Sequence, residues 1–119
     1  MKEHLLFSSS TELVRVSTAA LVYITAEGNY STAYLADGGE YVLTLQLGQI
    51  ERRIEEQAGS DDGHFIRIGK SLIVNKDYIT YINPGRQRLI LSDGRSFKHE
   101  LSASREALKS LKEFLEQEA

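Results

Sequence analysis

Cysteine is missing altogether, and proline and methionine occur once each. Without cysteine there can be no disulfide framework, no thiolate nucleophile and no cysteine-ligated metal. A reducing, cytoplasmic setting fits that absence. Histidine is scarce as well. His4, His64 and His99 include no pair at i, i+4, so no metal site is expected. No apolar run approaches eighteen residues, and Met1-Lys2-Glu3-His4 leads into no signal-peptide hydrophobic region, so no membrane partner is expected. G-x-S-x-G is absent too, which leaves the many serines without an evident triad. The paired carboxylates Glu55-Glu56 and Asp61-Asp62 sit in polar surroundings and read as solvated surface. Nothing here predicts a catalytic residue, a cofactor or an enzyme.

What is present is a chain of 119 residues, enough for one domain spanning 1–119. A chain of this size buries roughly two thirds of its unfolded surface, which makes a core without staples. The formal net charge is −3, which taken alone argues against a nucleic-acid partner. Its distribution argues the other way. Between His64 and Arg105 the cations Arg67, Lys70, Lys76, Arg86, Arg88, Arg95, Lys98 and Arg105 face only Asp77, Asp93 and Glu100, a local balance of +5 against −8 elsewhere. The field at a surface, not the total, decides what docks there. A solvated face that merely carries more cations is the plainer alternative.

Taken in order, Leu5-Leu6-Phe7 and Glu12 to Val16 read as short strands around the Ser8-Ser9-Ser10-Thr11 turn. Leu21 to Thr25, β-branched and aromatic, reads as a strand buried on both faces. After Glu27-Gly28-Asn29, the residues Tyr30, Thr32 and Tyr34 alternate with Ser31, Ala33 and Leu35 in a period of two. Asp37-Gly38-Gly39 signals a hairpin into Glu40 to Leu43. The period then changes. Leu47, Ile50 and Ile54 recur at i, i+3 and i+7, an amphipathic helix that Gly59 can end before the loop Ser60-Asp61-Asp62-Gly63. Tyr78 to Ile82 is another strand, turned by Asn83-Pro84-Gly85. Arg88 to Leu91 and Ser96 to His99 flank a second hairpin signal at Ser92-Asp93-Gly94-Arg95. A final helix, capped by Ser102 or Ser104, buries Leu108, Leu111 and Leu115. The fold class is mainly β with two α-helices.

The central stretch is Phe65-Ile66-Arg67-Ile68-Gly69-Lys70-Ser71-Leu72-Ile73-Val74-Asn75. Apolar residues on either flank anchor it in a core and push the knuckle Gly69-Lys70-Ser71 outward, with a cation at its tip and a hydroxyl beside it. Such a knuckle suits an anion, and it also fits an ordinary β-turn. It is not a phosphate-binding loop of the G-x-x-x-x-G-K-[ST] kind. His64 stands where the first glycine belongs, and Leu72-Ile73-Val74 is strand-like where a helix N-terminus is needed.

This stretch, with Tyr78, Ile79 and Ile82, resembles the signature of LytTR-type DNA-binding domains. Val22 to Tyr30 resembles that family's first recognition loop with its strand, and Leu89 to Gly94 with Ser104-Arg105 its closing pattern, so the likeness spans about 10–115. It implies small β-sheets stacked with one or two helices in one compact domain. It also implies loops inserted into successive major grooves of double-stranded DNA, paired direct repeats, and bacterial transcription regulation. The family's usual setting, behind a receiver domain, implies an upstream sensor or receiver protein, and repeated sites leave room for a homodimer. Two departures stand out. Gly69 occupies a position where the family often has His, and Phe97 to Ser102 intervene before the closing Ser-Arg.

Position by position, the resemblance implies DNA contacts from Asn29, Tyr30 and Ser31 in the first loop and from Lys70 and Ser71 in the knuckle. The third contact is Arg105, or Lys98 and His99 if the intervening residues shift the loop. The chemistry agrees: Lys and Arg neutralise phosphates or donate to guanine, Asn pairs with adenine, and a serine hydroxyl can cap a phosphate. Structural alternatives stand beside these roles. Asn29 can simply hold a left-handed turn, Tyr30 can be a half-buried strand residue, and Arg67 can be an ion-pair partner within the fold. Asn75 reads as a residue that satisfies backbone groups. A protein-interaction module on the same scaffold, using the acidic helices and edge strands, is the competing function.

Overall fold

The computed structural model describes residues 4–58 and 64–118. It is mainly β, with ten strands in three antiparallel sheets and two helices among the described residues. The chain divides into two compact units at Lys76/Asp77.

The first unit opens with the hairpin of β1 (His4–Ser8) and β2 (Leu13–Ser17). Strands β3 (Leu21–Glu27), β4 (Tyr30–Leu35), β5 (Glu40–Leu43), β6 (Phe65–Ile68) and β7 (Leu72–Asn75) form a five-stranded sheet in the order β5-β4-β3-β7-β6. Helix α1 (Leu47–Ala58) buries Leu47, Ile50 and Ile54, the three residues its period picks out. Its first turn is closed by Gln49, whose Oε1 accepts from the Gln46 amide at 2.9 Å, half of a capping box. These apolar side chains join Leu5, Phe7, Leu21, Ile24 and Ile73 in one core. Each fully buried aliphatic contributes about 1.5–3 kcal/mol. The expected stop at Gly59, the loop 60–63 and the Asp61-Asp62 pair lie outside the described residues.

Helix α1 also closes the free edge of β1. The Gln57 side chain donates to the Leu6 carbonyl and accepts from the Leu6 amide, both at 2.8 Å, as a neighbouring strand would. Arg53 adds a 2.7 Å bond to the Ser8 carbonyl. A covered edge cannot recruit a foreign strand. Asn75 behaves as its sequence context suggests. It is buried, and its Nδ2 donates to the carbonyls of Thr18 (3.2 Å) and Leu21 (3.0 Å), tying the β2–β3 connection to the end of β7.

One expectation needs refinement. The period-two pattern of β4 predicts one buried face, but Ser31, Thr32 and Ala33 are all buried in succession. β4 lies inside the sheet between β3 and β5, covered on both faces over those residues, so alternation in side-chain type does not translate into alternation in exposure.

A 3-10 turn, Lys76–Tyr78, leads into the second unit. There β8 (Ile79–Asn83), β9 (Arg88–Ser92) and β10 (Lys98–Ser102) form a meander, and α2 (Arg105–Glu118) packs on β8. Leu89, Leu91, Leu108 and Leu111 are buried, while Leu115 is only half-buried. Of the two candidate caps, Ser104 serves: its Oγ accepts from the Ala107 amide at 3.1 Å. The second Asp-Gly signal is not a tight hairpin. The connection runs over residues 93–97, and β10 starts at Lys98 rather than Ser96. Asp93 explains the extra length, because Oδ1 gathers the amides of Arg95 (2.8 Å), Ser96 (2.7 Å) and Phe97 (3.2 Å), while Ser96 Oγ donates to Oδ2. Those bonds, the Ser96 hydroxyl first, hold the Asp93 carboxyl far below the usual carboxylate range.

Candidate nucleic-acid interface

Sheet register in the first unit brings two turns to one end. β3 pairs with β4 out to Glu27↔Tyr30, so the chain reverses over Gly28-Asn29. β7 pairs with the other side of β3 through Thr25↔Leu72, and the Ala26 amide then reaches the Ser71 carbonyl at 2.9 Å. The knuckle between β6 and β7 therefore emerges beside Gly28-Asn29. Gly28 (φ +69°) and Gly69 (φ +60°) both occupy the left-handed region that favours glycine, which lets each turn reverse sharply. Two strand spacings, roughly 10 Å, separate the centres of the two turns.

On this end Asn29 is exposed, and its Oδ1 accepts from Gln46 Nε2 at 3.5 Å, from the linker that enters α1. Tyr30 is 52 % exposed, a solvent-facing ring rather than a half-buried one. Lys70 and Ser71 are exposed, and Lys70 forms no ion pair among the described residues. The nearby Glu27 carboxylate accepts from Thr32 Oγ1 at 2.8 Å.

Ser31 does not belong to this set. Its side chain is fully buried and its hydroxyl donates to the Leu45 carbonyl at 2.8 Å, so it holds the β5–α1 linker against β4 and cannot reach a ligand. One residue that the resemblance did not place at the site does belong beside it. Arg67 projects from β6 towards α1, pairs with Glu51 at 2.9 Å, and donates to the carbonyls of Gly69 (3.2 Å) and Lys70 (3.3 Å). The reading of Arg67 as an internal ion-pair partner is correct. That it also grips the knuckle could not be seen from alternation alone.

The second unit holds the candidates for the third contact, and it separates them. Lys98 begins β10 opposite Ser92, beside the 93–97 connection. Arg105 follows the far end of β10, where its Nη2 reaches the Gly85 carbonyl at 3.4 Å in the β8–β9 turn. The residues from Lys98 to Ser102 that delay the closing Ser-Arg are thus β10 itself. Arg105 and Arg86 are exposed at one end of the meander, while Arg88 is engaged by Glu100 at 2.9 Å. At the other end Lys98 is exposed beside Arg95, and His99 is half-buried with its ring 5.6 Å from that of Phe97.

A family model, the LytTr DNA-binding domain, matches residues 11–116. The chain belongs to the LytTR family. Its fold is shared with a solved structure, the LytTr DNA-binding domain of a protein described as a putative methyl-accepting/DNA response regulator from Bacillus cereus. The two are 18 % identical, with a TM-score of 0.62 over 97 % of this chain and 98 % of that one. Among curated proteins none matches by sequence. Membership makes this LytTR chain a DNA-binding domain of the kind used in transcription regulation. No helix among the described residues is long and apolar enough to cross a membrane.

Proposed function

We propose that this LytTR domain binds double-stranded DNA sequence-specifically, with the turns at Asn29-Tyr30 and Lys70-Ser71 as one contact surface and Arg105 as a separate third contact. The observation that carries the reading is the emergence of both turns at one end of the five-stranded sheet, with a lysine free of ion pairs among the described residues at the tip of the second. Spacing divides the labour. The turns lie roughly 10 Å apart, against roughly 34 Å between successive major grooves. The two therefore serve one groove and its border: Asn29 reads a base edge, its amide being suited to adenine, and Lys70 with Ser71 holds the flanking phosphate strand. The separate third contact falls to Arg105, which is exposed beside Arg86, rather than to His99, whose ring rests on Phe97. Two copies occupy paired direct repeats, under control of an upstream sensor or receiver protein in the cytoplasm.

The test is a salt titration of duplex binding. The logarithm of affinity should fall with the logarithm of salt by about 0.9 per phosphate neutralised. Lys70→Ala should lower that slope by about one contact and weaken binding across all sequences. A flat salt dependence would remove DNA as the ligand. Capture of a stable protein complex, with no genomic fragment bound, would establish the interaction-module alternative.

A further inference from the structure

We infer that the knuckle carries a main-chain phosphate seat, formed by the amides of Lys70 and Ser71, and that Arg67 is the positioning residue that creates it. The inference rests on the DNA-binding reading above and extends it to groups that reading does not use. Arg67 makes three bonds with one guanidinium: to Glu51 on α1, to the Gly69 carbonyl and to the Lys70 carbonyl. The peptide bonds of the knuckle are trans. In a planar trans peptide the N–H points opposite to the C=O of the preceding residue. Drawing the Gly69 and Lys70 carbonyls towards the guanidinium therefore turns the Lys70 and Ser71 N–H groups away from it. Neither amide donates to a protein acceptor among the described residues, and both residues are exposed.

Successive free amides in a turn make a concavity for an anion. Here they are flanked by the Lys70 ammonium and the Ser71 hydroxyl, which suits a phosphodiester oxygen. Arg67 acts twice. It fixes both peptide planes, and its charge offsets the carbonyl dipoles that would otherwise repel a phosphate. Gly69 permits the arrangement: its φ is +60°, and the space where a side chain would begin is open, with nothing within 4 Å. Lysine cannot replace Arg67, because a point charge lacks the planar fork that addresses two carbonyls and a carboxylate together.

Two measurements on the full 119-residue chain test this. In the first, a random-sequence duplex is added to labelled protein. The Lys70 and Ser71 amide resonances should shift strongly, and their hydrogen exchange, fast in the free protein, should slow. In the second, Arg67→Met and Arg67→Lys are compared with Lys70→Ala. Both Arg67 variants should bind the duplex roughly tenfold more weakly, the scale of a lost charge-assisted hydrogen bond, with a reduced salt slope and Lys failing to rescue. If Lys70→Ala weakens binding while Arg67→Met binds like the parent and the two amides do not move, the phosphate seat is refuted and the DNA-binding reading survives. If Lys70→Ala changes nothing either, the reading of the site itself falls. Should Arg67→Met fail to fold, the amide measurement on the unmodified protein decides alone.

Discussion

Replacing Asn75 by alanine removes a side chain that joins the end of β7 to the β2–β3 connection. The bonds lost include those to Thr18 O at 3.2 Å and Leu21 O at 3.0 Å, in a site where Asn75 is 2 % exposed and Leu21 is fully buried. A hydrogen bond contributes about 1 kcal/mol net, but a buried acceptor left without a donor costs about 1–3 kcal/mol. Two carbonyls deprived of the Asn75 amide, partly relieved by relaxation, put the loss at about 2–4 kcal/mol. That is a large share of the roughly 5–15 kcal/mol that holds a domain of this size together. Urea denaturation reads it as a lowered midpoint at unchanged slope. Asn75→Asp sharpens the test. An ionised carboxylate only accepts, and here it would face two carbonyl oxygens, so its pKa is pushed up and the charged form is penalised. The Asp variant should be less stable than the Ala variant at neutral pH, with the gap narrowing as pH falls and the carboxyl takes up a proton. An Asn75→Ala midpoint corresponding to less than about 0.5 kcal/mol would refute the claim that these two carbonyls depend on Asn75.

Asp93 gives a second pH dependence. Its folded-state pKa is depressed by Ser96 and the loop amides, so its stabilising effect is complete above the ordinary carboxylate pKa and is lost as pH falls below it. The difference in stability between the parent and Asp93→Ala should be constant above about pH 5 and shrink as pH drops below about 4; a difference independent of pH down to strongly acidic conditions would contradict the assignment. Ser31→Ala should destabilise the fold by about 1–3 kcal/mol, by stranding the Leu45 carbonyl, while duplex affinity of the folded fraction stays unchanged; a specific loss of DNA binding in stably folded protein would return Ser31 to the interface.

Helices and most strands were legible because their signals are local. Leu47, Ile50 and Ile54 mark α1 by spacing alone, and the Asp37-Gly38 turn marks the β4–β5 hairpin. Ser31 was misplaced because exposure along a strand depends on which strands lie beside it, and sequence does not say that β4 is internal. The third contact was ambiguous for a related reason. Lys98 and Arg105 lie close together in a stretch that reads as either loop or strand, and only the pairing of β10 with β9 sends them to opposite ends of a sheet. Arg67 shows the limit most clearly. Alternation with Ile66 and Ile68 identifies a cation on a strand, but the carbonyls it grips are set by the turn that follows.

The central claim is that Asn29 reads sequence while Lys70 holds backbone, and selection of genomic fragments by the purified protein and its two variants tests it most directly. The account predicts a shared motif recovered by the parent, the same motif at lower yield with Lys70→Ala, and relaxed preference at one base position with Asn29→Ala. Recovery of an unchanged motif by Asn29→Ala, with full yield from Lys70→Ala, would contradict it.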